Sequence, residues 1–512
     1  MIDVLILDFG SQTSHLIKRG VESWGIRALL LEGDASFSEI SKLYPKALIF
    51  SGGPSSVYIQ GGLLPDKNIF SLNIPILGIC YGSEIVAEML GGKVNKGQKG
   101  EYGKTNFSHL GNSDLFKFLP TKFTVWMSHF DKIERIPSGF TLTGKTSTSA
   151  IAAFENPARK IYCTLFHPEV VHTKYGDNIL SNFLQKVCGF AVRQKSTLLD
   201  TDEFTRVKVQ EIKEMVKKDL AICALSGGVD STVSSFLVHL AIGNRLTCFF
   251  IDTGLMRYNE ANEIKKNFQK TFLKIKYINA QELFVKKLKG IIDPEKKRKI
   301  IGQTFIDVLT IEAKRLKAKF LVQGTIYPDV IESQGTKHSH KIKSHHNVAG
   351  LPDKLSVKLI EPLRELYKDQ VRYLGKSLKI PQEIINRQVF PGPGLAVRIV
   401  GEVTIEKVLL LQKADLIVRE EIAKINLNES IWMAFAVLTN IKTTGVVGDE
   451  RTYGETVAVR VVSSRDAMTA HWTRVPYEVL DRISTRITNE VRGVNRVLFD
   501  ITNKPPATME WE

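Results

Sequence analysis

Ala224-Leu-Ser-Gly-Gly-Val-Asp-Ser-Thr-Val233 joins an apolar run at 220–225 to a stretch at 233–242 with helical apolar spacing. A strand that ends in glycines and hydroxyls and then opens a helix is built to hold phosphate. The glycines expose backbone N–H groups, the hydroxyls add donors, and the helix N-terminus contributes its positive end. The phosphate-holding residues expected are Ser226, Gly227, Gly228, Val229, Asp230, Ser231 and Thr232, and none of them is a lysine. With no ammonium reaching a γ-phosphate, the design favours holding the β,γ-phosphates as a leaving group while attack falls on the α-phosphate. The chemistry expected is adenylation with release of pyrophosphate.

A second stretch, Gly139-Phe-Thr-Leu-Thr-Gly-Lys-Thr146, has the G-x-x-x-x-G-K-T spacing of the familiar nucleotide loop. Its middle residues read as strand and no helix start follows, so the context that the motif needs is missing.

Outward from the loop, strand candidates at 246–251 and 319–322 alternate with helical stretches to about residue 388. Upstream, residues 1 to about 190 show the same rhythm, with short apolar runs at 4–7, 47–50, 74–79 and 161–166. Such alternation is that of α/β domains with mostly parallel sheets. A charged segment at 194–218 reads as a linker running into a helix, and Phe390-Pro-Gly-Pro-Gly394 reads as a rigid turn. Beyond it, a strand at 455–462, a helix carrying Leu480, Ile483, Ile487 and Val491, and a strand at 494–501 suggest a small α+β domain. The fold expected is α/β: two doubly wound parallel-sheet domains (1–190 and 200–388) followed by a small α+β domain (389–512).

Composition sets bounds. The 512 residues are 43% apolar and 24% charged, enough for several domains with developed cores. No apolar run approaches the roughly 18 residues of a membrane helix. The start, Met1-Ile-Asp-Val-Leu-Ile-Leu-Asp8, reads as a buried strand and not a secretion signal, so the expected location is cytoplasmic. Five scattered cysteines, never at metal-ligand spacing, fit a reducing compartment. The net charge of +16 suits polyanionic or nucleotide partners, or simply solvated helix faces.

In the N-terminal part, Pro75-Ile-Leu-Gly-Ile-Cys-Tyr-Gly-Ser-Glu84 puts a cysteine at the centre of G-x-C-x-G directly after an apolar strand. This is the cysteine form of the nucleophile elbow, where a sharp strand-to-helix turn exposes the side chain and the helix N-terminus favours the thiolate. Cys80 needs a base, and Ile161-Tyr-Cys-Thr-Leu-Phe-His-Pro-Glu169 offers His167, with Glu169 to orient it. Ser51-Gly-Gly-Pro54 offers the N–H groups of Gly52 and Gly53, which with that of Tyr81 would form an oxyanion hole.

These two sites resemble two known families. SGGVDS is similar to the signature loop of the PP-loop ATP pyrophosphatases, and the resemblance makes residues 226–232 an ATP site. The Cys80, His167, Glu169 set with Ser51–Pro54 resembles the class I glutamine amidotransferases. It implies that Cys80 attacks the side-chain amide of glutamine, His167 passes a proton to departing ammonia and Glu169 holds His167. The pattern departs from that family at Glu84, where glutamine is usual, at Thr13-Ser-His15 and at Phe130. A carboxylate at 84 would disfavour the thiolate and repel an anionic group.

The two halves together, with Phe250-Ile-Asp-Thr-Gly-Leu-Met-Arg257, Gln323-Gly-Thr-Ile-Tyr-Pro-Asp-Val-Ile-Glu-Ser333, Ile342-Lys-Ser-His-His-Asn-Val-Ala-Gly-Leu-Pro352, Phe390-Pro-Gly-Pro-Gly-Leu-Ala396 and the end Lys504-Pro-Pro-Ala-Thr-Met-Glu-Trp-Glu512, resemble the glutamine-hydrolysing GMP synthetases. That resemblance implies ATP, XMP and glutamine as substrates, Mg²⁺ with the pyrophosphate, XMP contacts from Arg257, Lys504 and Glu510, and a homodimer formed through the C-terminal domain. The metal ligands stay unassigned. Ammonia must pass between the two sites with little loss, so glutamine hydrolysis is expected to wait for ATP and XMP. The histidines between 338 and 346 are interleaved with Lys341 and Lys343 and read as a basic loop over phosphates, not a zinc site. A tRNA-modifying PP-loop enzyme would suit the charge but leaves Cys80, His167 and Glu169 without a task. An RNA-binding module in the C-terminal part lacks a G-x-x-G loop between helices and an aromatic strand platform, so no nucleic-acid or membrane partner is expected.

Overall fold

The computed structural model describes residues 2–59, 62–192, 199–334, 357–425, 431–447, 449–464 and 469–512. The histidine-rich stretch at 338–346 and the motif at 342–352 lie outside them. The chain divides into two compact units, one built on residues 1–197 and the other on 198–333 and 343–512.

The first unit contains strands β1 (Val4–Asp8), β2 (Ala28–Glu32), β3 (Ala47–Phe50), β4 (Ile76–Ile79), β5 (Lys93–Asn95), β6 (Glu101–His109), β7 (Lys122–His129), β8 (Lys132–Arg135), β9 (Thr141–Thr146), β10 (Ala153–Asn156) and β11 (Ile161–Thr164). Nine of these form one sheet in the order β2-β1-β3-β4-β11-β10-β9-β6-β7. Strands β1, β3 and β4 are buried along their whole length. Their alternate residues feed two cores: Val4 and Ile6 pack on one face, Leu5 and Leu7 on the other. A strand covered on both faces reads as a continuous apolar run, which is why the sequence exposed it so clearly.

The expectation of a mostly parallel sheet holds for half of it. The neighbours from β2 through β11 are parallel, whereas β10, β9, β6 and β7 are added antiparallel. The cause is connection length. Between β9 and β10, and between β10 and β11, only a few residues intervene, too few for the crossover that a parallel pair requires. The stretch with nucleotide-loop spacing forms β9, paired with β6 and β10, and is followed by another strand, not a helix.

In the second unit, β12 (Ala221–Ala224), β13 (Leu246–Asp252), β14 (Ile275–Asn279), β15 (Phe320–Val322) and β16 (Lys358–Ile360) form a fully parallel sheet in the order β14-β13-β12-β15-β16. The charged segment becomes the helix Thr201–Val216, capped by Asp200, whose side chain accepts from the N–H of Glu203. A third sheet holds β17 (Ile431–Val447), β18 (Glu450–Ser463), β19 (His471–Trp472) and β20 (Val494–Asp500). There β18 pairs with β17 and β19 antiparallel and with β20 parallel. Sequence reading found β18, β20 and the helix Tyr477–Glu490 but missed β17. Residues 433–439 of β17 are all buried, so no alternation marks them as strand.

One apolar core runs from Phe249 and Leu321 of the parallel sheet to Leu411, Val459 and Ile483, so the two sheets of this unit share an interior. The turn at 390–394 is pinned there. Gly394 has φ +65°, and a Cβ would collide with the carbonyl oxygen of Leu255, so only glycine fits. No helix among the described residues is long and apolar enough to cross a membrane.

Candidate active site

The first cluster lies at the carboxyl ends of β3, β4 and β11, where parallel α/β sheets open a crevice. Ile79 of β4 is in register with Thr164 of β11, and Phe50 of β3 with Gly78, so the residues that follow each strand converge. Cys80 occupies the turn between β4 and the helix Tyr81–Met89, with φ 52° and ψ −113°. A non-glycine residue in that region is strained, and the turn is held by close packing. A Cβ on Gly78 would lie 2.7 Å from the carbonyl oxygen of Gly82, and one on Gly82 would enter the backbone of Phe50. The G-x-C-x-G spacing is therefore a steric requirement of the elbow.

His167 is buried beside Cys80, and the Cβ position of Gly52 lies 3.0 Å from His167 Cε1 and 3.6 Å from Cys80 Cβ. Nδ1 of His167 is 2.7 Å from Glu169 Oε1, and Nε2 has no hydrogen-bond partner among the described residues. Burial alone would lower the affinity of the ring for a proton, but Glu169 and Cys80 outweigh it and hold the imidazole well above its usual value. The cluster thus favours an imidazolium held between Glu169 and Cys80. Cys80 Sγ lies 3.7 Å from the carbonyl oxygen of Ser128. No acceptor among the described residues takes the N–H of Gly52, Gly53 or Tyr81.

The structure adds a residue that sequence reading counted only as a departure. Thr13 Oγ1 donates to Glu169 Oε1 at 2.6 Å. Asp8 winds the loop that carries it, accepting from the N–H groups of Gly10 (3.0 Å) and Ser11 (3.1 Å) and from Ser14 Oγ (2.7 Å). Glu84, one turn after Cys80, is 3% exposed. Burial first and Asp131 second push its carboxyl up to about 8.

The second cluster forms at the carboxyl end of β12, where strand order reverses. Gly227 has φ +75° and Gly228 caps the helix Val229–Ile242. Within the loop, Ser226 Oγ is 3.2 Å from Ser231 Oγ and accepts from the N–H of Gly228 at 3.2 Å. Thr232, fully buried, turns its hydroxyl to the carbonyl of Gly228 at 2.7 Å, so it braces the loop instead of facing a ligand. The charge absent from the loop arrives from downstream. Lys368 pairs with Asp230, and Arg387 donates to the carbonyl of Ser226 at 3.2 Å. A Cβ on Gly227 would run into that guanidinium, so Arg387 lies across the loop. Neither cation was legible in the sequence, because Lys368 stands 138 residues from Asp230 and Arg387 stands 161 from Ser226.

From Arg387 a buried ionic chain runs to the C-terminal segment. Arg387 pairs with Glu260, Glu260 with Arg257 at 3.6 Å, Arg257 with Asp415 at 3.8 Å and Asp415 with Arg398 at 3.7 Å. Arg398, with no exposed surface, grips Glu510 through Nε and Nη2, both at 2.9 Å. The expected residues Arg257 and Glu510 thus fall in one network, and Arg257 is itself buried with Phe390 stacked 4.5 Å from its guanidinium. Lys504 sits in a two-bond ladder with Ala470, at 2.8 and 3.0 Å. Arg460 fixes the following segment through the carbonyls of Thr502, Thr508 and Met509 at 3.0, 2.7 and 3.2 Å. Among the described residues no group of three or more His, Cys, Asp or Glu is placed to hold a metal ion.

A cysteine elbow on one sheet and a phosphate loop on another define a two-part enzyme, an amidotransferase joined to a nucleotide-activating unit. Residues 5–187 match the family described as Glutamine amidotransferase class-I, and residues 420–511 match the GMP synthase C terminal domain. The chain is 49% identical over 510 residues to the GMP synthase [glutamine-hydrolyzing] of Aquifex aeolicus (strain VF5), 99% of each chain being covered. It is 51% identical over 512 residues to that of Caldicellulosiruptor saccharolyticus and 50% over 511 to that of Clostridium perfringens, again over 99% of each. The chain belongs to the glutamine-hydrolysing GMP synthase family.

Proposed function

We infer that this chain makes GMP from XMP, splitting ATP to AMP and pyrophosphate and taking its ammonia from glutamine. The observation that carries the inference is the joint presence of the Cys80, His167, Glu169 cluster and a lysine-free phosphate loop in a chain of this family.

In the first unit, the Cys80 thiolate attacks the side-chain amide carbon of glutamine. The N–H groups of Gly52, Gly53 and Tyr81, which no acceptor among the described residues takes, are available to the oxygen that becomes negative. His167 gives its Nε2 proton to the departing ammonia, held in orientation by Glu169, which Thr13 holds in turn. Water then cleaves the thioester to glutamate.

In the second unit, the C2 oxygen of XMP attacks the α-phosphate of ATP. Residues 226–231 hold the β,γ-phosphates through backbone N–H groups and hydroxyls, Thr232 bracing the loop, while Arg387 and Lys368 balance the charge of the leaving pyrophosphate. Ammonia adds at C2 and AMP departs with the former C2 oxygen. Mg²⁺ fits this site at Asp230. One of its oxygens pairs with Lys368 and the other, Oδ1, is buried with no partner. The ion supplies hard-cation neutralisation of clustered phosphate charge. Arg257, Lys504 and Glu510 are assigned to XMP, Glu510 being aimed by Arg398. The domains expected at 1–190, 200–388 and 389–512, a homodimer and a cytoplasmic location belong to the same reading.

Adenylation of the C2 oxygen is tested with XMP carrying ¹⁸O at C2. Label recovered in AMP supports it, and label released to water contradicts it.

A further inference from the structure

Glu84 stands in the first turn of the helix that begins at Cys80, its N–H bonded to the carbonyl of Cys80 at 3.2 Å. Its side chain is almost fully buried, and no hydrogen bond from the described residues acts on its carboxyl. Asp131, the acid whose charge acts on Glu84, is in the opposite condition: one oxygen accepts from Tyr58 Oη at 2.6 Å and the other from Ser56 Oγ. The backbone around Asp131 is fixed as well, since its carbonyl lies 2.8 Å from His129 Nδ1, whose Nε2 lies 3.4 Å from Glu101. Burial first and Asp131 second act on the Glu84 carboxyl with no donor to offset them, so Glu84 keeps its proton.

The other titratable groups near Glu84 do not change this assignment. Tyr81 donates to the carbonyl of Leu63 at 2.9 Å and, through burial first, is pushed up to about 12. Tyr58 is raised by burial, then by Asp131 and Glu84. His167 belongs to Glu169 and Cys80.

A side chain here that is neutral and offers both a donor and an acceptor resembles an amide. A carboxylic acid does this, whereas a carboxylate only accepts. We propose that Glu84 works as a neutral acid that donates a hydrogen bond to an oxygen of the substrate glutamine, which makes glutamine use, unlike ammonia use, sensitive to mild alkali. This rests on the reading that the first unit hydrolyses glutamine. Glu84 is then a positioning and specificity residue, and it adds no negative charge beside Cys80.

The test uses the full chain and its Glu84→Gln variant. Glutamate release is measured with glutamine, ATP and XMP present, from about pH 6.5 to about 9.5, with GMP formation from ammonium followed in parallel. The parent KM for glutamine is expected to stay level to about pH 8 and then rise about tenfold per pH unit, while that of Glu84→Gln stays level. Loss of the His167 proton would act on kcat in both proteins alike, so the contrast in KM belongs to Glu84. A level parent KM, an equal rise in both proteins, or glutamine use gained only on substitution would overturn the proposal. Glutamate release by neither protein, with GMP still made from ammonium, would overturn it together with the glutamine half of the proposed function. Absence of GMP from ammonium would sink the synthetase half alone, because glutamate release still reads Glu84.

Discussion

Glu169 Oε1 stands 2.7 Å from His167 Nδ1 and accepts a second hydrogen bond, from Thr13 Oγ1 at 2.6 Å. The carboxylate is thereby fixed from two sides, and the ring it holds keeps Nε2 free of other partners among the described residues. Thr13→Val removes one support without touching the reacting groups. Glutamine-dependent kcat should fall about tenfold with KM little changed, as expected when an orienting group is loosened. Ammonium-dependent GMP formation serves as the control, and an equal fall in both reactions would show a general folding defect instead.

Arg387 lies across the phosphate loop and is held there by Glu260. Arg387→Ala should lower the ATP-dependent rate on the order of a hundredfold with either nitrogen source, since it removes a charge-assisted contact to the leaving group. Arg387→Lys should restore little of it, because a point charge cannot serve both the carbonyl of Ser226 and the carboxylate of Glu260. Pyrophosphate release under saturating XMP measures this, and a full rescue by lysine would contradict the geometry.

How far the sequence reveals this architecture depends on chain separation. The elbow, the phosphate loop and His167 with Glu169 are local signals, because each depends on residues within about ten positions and on a strand buried on both faces. The Arg398 and Glu510 pair, 112 residues apart, carries no local pattern. Arg398 sits in a short 3-10 turn, where an arginine ordinarily reads as surface. Thr13 looked like a loss of the expected motif, and only its distance to Glu169 shows what it does. The antiparallel half of the first sheet was not legible because β6, β7 and β9 are only partly buried, and buried β10 is short, its pairing direction set by connections of a few residues to β9 and β11.

Arg398 and Glu510 also bear on stability. Removing one partner leaves a buried charge uncompensated, a cost of about 3–5 kcal/mol. Arg398→Ala should therefore lower the denaturant midpoint of the second unit clearly, and Glu510→Gln should do so less. Both should raise KM for XMP, which initial-rate measurements will show. Unchanged stability in Arg398→Ala would mean that the network is solvent-accessible.

Glu84 gives a stability prediction with a definite sign. Its carboxyl is raised from 4.5 to about 8 on folding, so the folded chain holds the proton where the unfolded chain has lost it. The benefit is present in full below about pH 4.5, shrinks as the pH rises and is gone above about 8. Glu84→Gln should thus melt above the parent at about pH 9, by a few kcal/mol in order of magnitude, with the advantage narrowing towards pH 5. Melting curves that run parallel at all pH values would show that Glu84 does not bind a proton on folding.

The central claim, one chain that frees ammonia at Cys80 and uses it on activated XMP, is tested most directly by GMP formation from XMP and MgATP with glutamine or ammonium as nitrogen source. Run with the parent and with Cys80→Ala, the assay should give GMP from both sources in the parent and from ammonium only in the variant. Glutamine-dependent GMP surviving in Cys80→Ala, or no GMP from either source in the parent, would contradict it.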